Sequence, residues 1–221
     1  MGDFEVITFD CYGTLIDWES GIVRAFQSEA SLDDLTLRSK DIIAAYMAEE
    51  PGVESEAYRP YRDVLAETAG RVAARLGWTM APERADFLAK SLDDWAPFPD
   101  TNPALERLAR RFQLGILSNV DDDLLALTRR HFTVSIDLIV TAAQVRSYKP
   151  ALAHFREAIS RTSGKRLLHA ARSYFHDVVP ARSLNIPVVW VNRKGERAPG
   201  DGPQPTYEVG NLAALADLLG A

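Results

Sequence analysis

The sequence predicts an α/β protein: a doubly wound parallel sheet with a helical domain inserted after the first strand. Three observations lead to this prediction. A short apolar, β-branched segment lies near the start of the chain, at 4–9. The stretch over 17–96 has apolar residues at helical spacing but no convincing strand. From residue 97 onward, short apolar segments alternate with helical ones, which is the pattern of a parallel sheet covered by helices.

The first strand is expected at Phe4–Phe9, where β-branched and aromatic residues run up to the turn at Gly13-Thr14. Its continuous apolar character is typical of a strand buried in a parallel sheet. The inserted block then reads as about four helices, which break at Pro51-Gly52 and Pro82. We therefore expect a sheet domain formed by 1–16 and 97–221, and a helical cap domain formed by 17–96.

The remaining elements follow from the alternation after residue 97. The expected strands are Leu114–Leu117, Leu138–Thr141, Leu168–Ala170, Val188–Val191 and Tyr207–Val209. The expected helices are Asn102–Arg111, Asp122–His131 and Ala151–Ser160. Because strands and helices of this length alternate, the sheet should be parallel and wound in both directions.

Composition narrows the function classes. The net charge of −6 argues against a nucleic-acid or anionic-membrane surface, and no stretch reaches the roughly 18 apolar residues of a membrane span. The N-terminus lacks the features of a signal peptide, and the single Cys11 excludes an internal disulfide. We expect a soluble cytoplasmic protein, a monomer or homodimer, whose partner is a small molecule rather than nucleic acid or membrane.

Polar residues follow the predicted strands where each strand ends. Asp10 comes directly after the first strand with Thr14 close behind, and Ser118-Asn119 follows the second. Lys149 lies at the start of the helix after the third strand, and Asp177 lies beyond the fourth. Ligands of open parallel sheets bind at the carboxyl ends of the strands. The sequence therefore predicts a polar site that combines carboxylates, a hydroxyl, an amide and an ammonium.

These motifs, in this order, resemble the haloacid dehalogenase superfamily of hydrolases. The matching positions are Asp10-x-Tyr12-Gly13-Thr14, Ser118-Asn119, Lys149-Pro150 and Asp177, and the resemblance extends over nearly the whole chain, including the cap. Leu15 completes a first motif similar to that of the 2-haloacid dehalogenase branch. Asp17-Trp18-Glu19 also resembles relatives that act as dehalogenases or as an azetidine-carboxylate hydrolase. The resemblance implies a Rossmann-like core and an (S)-2-haloacid dehalogenase-like activity that needs no cofactor.

Two positions depart from the phosphatases of that superfamily. Those enzymes carry a second aspartate two residues after the nucleophile, where this chain has Tyr12, a phenol that is a poor carboxylate replacement. They also bind Mg²⁺ through an acidic residue at the position of Arg172, and a cation repels the metal. We therefore expect no metal site, and Mg²⁺ only if the protein is a phosphatase.

The resemblance also implies roles for the residues. Asp10 would attack the carbon that bears the leaving group, Asp177 would hold the water that hydrolyses the resulting ester, and Lys149 would keep Asp10 ionised with a low pKa. Residues expected to contact Asp10 or the substrate are Tyr12, Thr14, Trp18, Ser118, Asn119 and Arg172. The dehalogenases bind the substrate carboxylate with a cap arginine, and Met47 occupies that position here. Arg172 is the candidate replacement cation.

Other residues have simpler interpretations. Asp121-Asp122-Asp123 is more typical of a helix N-terminus than of a metal site. Cys11 should face the core, and the histidines lack metal-ligand spacing.

Two other functions of the same superfamily remain open: hydrolysis of a small phosphate ester, and C–N ring opening of a cyclic imino acid. A third alternative is a non-catalytic binding protein, which the joint presence of Asp10, Lys149 and Asp177 disfavours.

Overall fold

The computed structural model describes residues 3–221, and its centre is a six-stranded sheet. The strands are β1 Val6–Phe9, β2 Gln113–Ser118, β3 Leu138–Thr141, β4 Leu167–Ala171, β5 Val188–Val191 and β6 Tyr207–Val209. Their order is β3-β2-β1-β4-β5-β6, and every neighbouring pair is parallel. The predicted α/β class with a parallel sheet is therefore confirmed.

The strand order places a switch point beside β1. After β1 the chain builds outward through β2 and β3, and it then returns to the other side of β1 to form β4. All residues of β1 and β4 are buried, as expected for strands covered on both faces. Because ligands of doubly wound sheets bind where the winding reverses, the residues that follow β1 and β4 lie in the favoured position for a site.

The helices agree with the sequence in part. They are α1 Trp18–Ser31, α2 Ser39–Glu54, α3 Tyr61–Arg75, α4 Phe87–Lys90, α5 Thr101–Leu108, α6 Asp122–Thr128, α7 Ala142–Val145, α8 Ala153–Thr162, α9 Val179–Ser183 and α10 Leu212–Leu219. The helix predicted at 122–131 ends earlier, because Arg129–His131 forms a 3₁₀ turn. The helices expected from the sequence did not include α7 and α10. For α10 the signals were present, since the Asn211 side chain caps its start and Gly220 ends it in a left-handed conformation.

The density of contacts divides the chain into two compact units. The sheet unit comprises the described residues up to Ile16, together with Pro97–Asn119 and Arg130–Ala221. The helical unit comprises Asp17–Ala96 and also Val120–Arg129. The predicted sheet domain, 1–16 and 97–221, differs from the sheet unit in that it includes 120–129.

A capping interaction links the segment 120–129 to the rest of the helical unit. The carboxylate of Asp121 accepts hydrogen bonds from the backbone N–H groups of Tyr61 at 2.9 Å and Arg62 at 3.0 Å. These are the first residues of α3, which follows Pro60 and has no side-chain cap of its own. A helix start leaves such N–H groups without intrahelical partners. Asp121 therefore ties its own segment to α3.

The helical unit has an aromatic core of its own. The rings of Phe26 and Phe87 meet edge to face at 5.0 Å. Gly21 lies against Trp95 so closely that a Cβ atom there would stand 2.5 Å from the indole ring. Across residues 3–221, no helix combines the length and the apolar character that a membrane crossing requires.

Candidate active site

Hydrogen bonds bring four of the predicted site residues together in the sheet unit. Asp10 follows β1 directly, and Thr14 lies in the turn after it. Lys149 lies in the loop between α7 and α8, and Asp177 lies in a π-helical turn, Tyr174–Val178, after β4. All four residues are buried. The switch point of the sheet therefore holds a connected polar cluster.

The ammonium of Lys149 is the centre of this cluster. Its Nζ atom lies 2.6 Å from Asp177 Oδ1, 3.0 Å from Asp10 Oδ1 and 2.9 Å from the carbonyl oxygen of Leu117. These acceptors use all three N–H donors of an ammonium. The side chain is only 1% exposed. Lys149 is thus held in one position between two carboxylates.

The charges of Lys149 and Asp177 stabilise each other. Burial alone would favour the neutral carboxylic acid, but the charge of Lys149 and a hydrogen bond from His169 outweigh it and lower the pKa of Asp177 to about 2. Burial would likewise favour a neutral amine, yet Asp10 and Asp177 raise the pKa of Lys149 above its usual value. Both groups are therefore charged at neutral pH.

Asp10 behaves differently from the prediction. Burial has the largest effect on its pKa and raises it. The charge of Lys149 opposes this shift, but the negative charge of Asp177 adds to it, and the net pKa of Asp10 is raised. The expectation that Lys149 keeps this pKa low was wrong, because burial, together with the negative charge of Asp177, outweighs the lowering effect of Lys149.

Thr14 contacts the other oxygen of Asp10. Its hydroxyl donates to Asp10 Oδ2 at 2.8 Å and accepts from the backbone N–H of Arg172 at 2.9 Å. The guanidinium of Arg172 instead pairs with Glu196 at 2.8 Å. In this structure Arg172 supports the site through its backbone, and its predicted contact with a substrate carboxylate stays a prediction.

Ser118 and Asn119 at the end of β2 have separate environments. The Asn119 amide accepts from the backbone N–H of Lys149 at 2.7 Å and donates to the carbonyl of Lys149 at 3.0 Å. It therefore positions the Lys149 backbone, which the sequence analysis did not foresee. Ser118 Oγ is buried and has no hydrogen-bond partner among residues 3–221. Their roles toward a substrate stay predictions.

Tyr12 and Trp18 lie in different units. Tyr12 is half-buried in the turn after Asp10 and pairs through its backbone with Ile16. Trp18 begins α1 in the helical unit, where its ring lies 5.6 Å from that of Tyr46. Met47, at the position of the dehalogenases' arginine, is 52% exposed. The predicted contacts of Tyr12 and Trp18 with Asp10 or a substrate stay predictions.

Two buried histidines belong to the site, and the sequence analysis missed both. His169 in β4 places Nε2 at 3.0 Å from Asp177 Oδ1, and His154 in α8 places Nε2 at 3.2 Å from the carbonyl oxygen of Ser118. Burial lowers the pKa of His154 to about 3. A signal existed for His169, since it is the one ionisable residue in the otherwise apolar strand Leu167–Ala171.

The donor set does not suit Mg²⁺. Among residues 3–221, no group of three or more acidic, histidine or cysteine side chains could hold a metal ion. The two carboxylates that approach each other, Asp10 and Asp177, share the ammonium of Lys149. Mg²⁺ requires several oxygen ligands in octahedral geometry. Two carboxylates that already share an ammonium do not offer such a set of ligands.

The cluster can support nucleophilic chemistry. Each oxygen of Asp10 accepts one hydrogen bond, so each has a lone pair left, and the side chain is 11% exposed. Asp177 Oδ2 is buried and has no hydrogen-bond partner in the described chain. Such an atom can accept a hydrogen bond from a water molecule. The site thus combines a partly exposed carboxylate, Asp10, with a second carboxylate, Asp177, that has one oxygen without a hydrogen-bond partner among residues 3–221.

Two known proteins are related in sequence to this chain over nearly its whole length. The model of a hydrolase family described as haloacid dehalogenase-like hydrolase matches residues 4–170. The (S)-2-haloacid dehalogenase H-109 of Pseudomonas putida is 29% identical over 231 residues, with 99% of each chain covered. The (S)-2-haloacid dehalogenase of Pseudomonas sp. (strain YL) is 25% identical, with 96% of this chain and 93% of that protein covered.

A solved structure has the same fold. The L-2-haloacid dehalogenase from Xanthobacter autotrophicus with chloropropionic acid covalently bound superposes with a TM-score of 0.85 at 20% identity, and the match covers 99% of both chains.

Proposed function

The chain belongs to the haloacid dehalogenase-like hydrolases, and we propose that it hydrolyses a small 2-haloacid through a covalent ester of Asp10. The products are a 2-hydroxy acid, a halide ion and a proton. Ring opening of a cyclic imino acid would use the same attack at carbon, but its amine leaving group needs a proton. Of these two reactions, loss of a halide requires fewer catalytic groups, because the halide leaves without a proton.

The observation that carries the proposal is the setting of Asp10. Its carboxylate is fixed by Lys149 on one oxygen and by Thr14 on the other, and it remains partly exposed. The next polar side chain is Tyr12 rather than a carboxylic acid. A halide leaves as a stable anion and needs no general acid, whereas the alkoxide released from a phosphate ester does.

In the first step, an ionised oxygen of Asp10 attacks the substrate carbon that bears the halogen. The new C–O bond forms as the carbon–halogen bond breaks, and the halide leaves with the bonding electrons. The carbon inverts its configuration because attack comes from the side opposite the leaving group. Asp10 becomes a neutral ester, so Lys149 then neutralises Asp177 alone.

In the second step, water attacks the carbonyl carbon of the Asp10 ester. Asp177 accepts a hydrogen bond from this water and takes its proton as the tetrahedral intermediate forms. As the intermediate collapses, the bond between the carbonyl carbon and the substrate oxygen breaks, and protonated Asp177 returns its proton to that oxygen, so that the 2-hydroxy acid leaves. The second proton of the water is lost to solvent from the regenerated carboxyl group of Asp10. One oxygen of the regenerated Asp10 carboxylate then comes from water. Buried Ser118 Oγ is a candidate donor to substrate or intermediate.

A single-turnover experiment in ¹⁸O-water tests this route. With enzyme in excess over (S)-2-chloropropionate, the hydroxy acid should carry no label, and the peptide containing Asp10 should gain one ¹⁸O atom. Direct attack of water on the substrate predicts the opposite distribution. A labelled product together with an unlabelled enzyme would overturn the proposal.

Asp10→Asn supplies the matching control. The amide has nearly the same shape but cannot act as an anionic nucleophile, so turnover should fall by at least about 10³-fold. The variant should stay folded, because Lys149 keeps its pair with Asp177. Asp217→Asn makes the same change at a side chain that is 70% exposed and should leave turnover unchanged. Peptide masses must exclude deamidation of the introduced amide back to aspartate.

A further inference from the structure

His169 has a hydrogen bond on each side of its ring. It is fully buried in β4, opposite Thr8 on the neighbouring strand β1, and Phe155 packs edge to face on its imidazole at 5.2 Å. Nδ1 lies 2.9 Å from the hydroxyl of Thr8, and Nε2 lies 3.0 Å from Oδ1 of Asp177. Neighbours on three sides therefore fix the position of the ring.

The direction of the bond to Asp177 follows from the acceptor. An ionised carboxylate has no proton to donate, so Nε2 must carry the hydrogen. In a neutral ring, Nδ1 then accepts from Thr8, and in a charged ring it donates to Thr8. In both protonation states the imidazole donates to Asp177.

This bond makes the two oxygens of Asp177 unequal. Oδ1 accepts from both His169 and Lys149, at 3.0 and 2.6 Å, whereas Oδ2 has no partner in the described chain. Without His169, the carboxylate could turn and bring both oxygens toward the ammonium of Lys149. Such a pair would occupy Oδ2, the oxygen that has no hydrogen-bond partner among residues 3–221 and is left as an acceptor for a water molecule.

We propose that His169 is a positioning residue that holds Asp177 so that Oδ2, and not Oδ1, receives the proton of the hydrolytic water. The inference rests on the proposed ester mechanism and extends it to a residue outside the sequence motifs. His169 makes no hydrogen bond to Asp10, whose oxygens are bonded by Lys149 and Thr14. Its loss should therefore slow ester hydrolysis and leave ester formation nearly unchanged.

Two amide substitutions separate the two sides of the ring. In His169→Gln, the side-chain nitrogen can occupy the place of Nε2 and keep the donor to Asp177. In His169→Asn, the nitrogen can reach only the place of Nδ1, so the contact with Thr8 is retained and the donor to Asp177 is lost. Both variants bury a polar amide in the same strand, so a general effect on folding should be similar in the two.

The experiment measures chloride and hydroxy-acid release separately after mixing with (S)-2-chloropropionate, and it follows the mass of the Asp10 peptide. His169→Asn should release about one chloride per site in a burst, accumulate the ester, and hydrolyse it at least about tenfold more slowly, a part of the 10²–10⁴-fold that a general base contributes. His169→Gln should hydrolyse the ester at close to the rate of the unmodified protein.

Other outcomes have distinct meanings. If both variants fold and slow chloride release and product release equally, with no accumulated ester, the role of His169 is overturned. Equal accumulation of ester in both variants would also overturn it, because the retained donor would then make no difference. Failure of the proposed function is recognised separately, since the unmodified protein would then put ¹⁸O into product rather than into Asp10.

Discussion

Lys149 lies between the carboxylates of Asp10 and Asp177, and the pKa values of these two groups are shifted in opposite directions. Asp177 is the closer partner and its pKa falls to about 2, whereas the pKa of Asp10 is raised. A carboxylate of higher pKa is the more basic one and the better nucleophile once ionised. The residue that must attack is thus the more reactive of the pair, although it needs a higher pH to ionise.

The raised pKa of Asp10 predicts the acid side of the pH profile. Only ionised Asp10 can attack, so kcat/KM should fall as the pH drops through this pKa, at a pH above about 3.9, the reference value for aspartate. The hydrogen bond from Thr14 lowers the pKa of Asp10. Thr14→Val should therefore move the acid limb to higher pH, because the ionised form of Asp10 loses a hydrogen bond that stabilises it.

Thr162→Val is the matched control for this measurement. Thr162 is also buried, but its hydroxyl donates to a carbonyl oxygen within α8. It should leave the acid limb in place. A limb that stays fixed in Thr14→Val, or moves to lower pH, would contradict the assignment of this limb to Asp10.

At the residue scale, the motif residues were predictable and their partners were not. Asp10 directly follows a predicted strand, and Lys149 and Asp177 lie in the segments that follow two others, at the edge of the sheet where ligands bind. The pairing of His169 with Asp177 and the bonds of Asn119 to Lys149 depend on residues brought together by the fold. The pKa of Asp10 could not be foreseen because it depends on burial and on sharing one ammonium.

At the scale of single helices, two glycines of the helical unit provide a contrasting pair. A Cβ atom at Gly21 in α1 would stand 2.5 Å from the ring of Trp95, whereas one at Gly70 in α3 meets nothing within 4 Å. Gly21→Ala should destabilise the protein by about 1–3 kcal/mol through overpacking. Gly70→Ala should stabilise it by about 0.5–1 kcal/mol through helix propensity. Urea denaturation measures both, and a neutral Gly21→Ala would contradict the packing of Trp95.

The elements show where local patterns suffice. β3 and β5 occupy the predicted residues, because apolar β-branched runs between turns specify buried strands. β6 also occupies the predicted residues, although its middle residue, Glu208, is exposed. The ends of the helices were predicted less accurately, because they depend on caps and on turns such as the 3₁₀ turn at Arg129–His131. The cap of α3 comes from Asp121, far away in sequence, and no local pattern could reveal it.

For the whole molecule, we predict activity that is independent of divalent metal. EDTA should not change turnover of (S)-2-chloropropionate, because the ammonium of Lys149 bridges the carboxylates of Asp10 and Asp177. Arg172, which the sequence aligns with an acidic metal ligand of the phosphatases, brings only its backbone N–H to Thr14. Haloacids, cyclic imino acids and phosphate esters should each be assayed with EDTA and with added Mg²⁺. Turnover of a phosphate ester that EDTA abolishes and Mg²⁺ restores would favour the phosphatase alternative instead.

Asp121 also determines how the molecule can be divided in the construction of chimeras. Its carboxylate serves the N-terminus of α3 from a segment 60 residues further along the chain. A hybrid that exchanged only 17–96 with a relative would leave Asp121 behind, and the incoming helix would start without the acceptor it evolved with. The loss of one such cap costs about 1 kcal/mol. Residues 17–96 and 120–129 therefore belong to one structural unit that is encoded by two separate parts of the gene. A chimera should exchange both segments together.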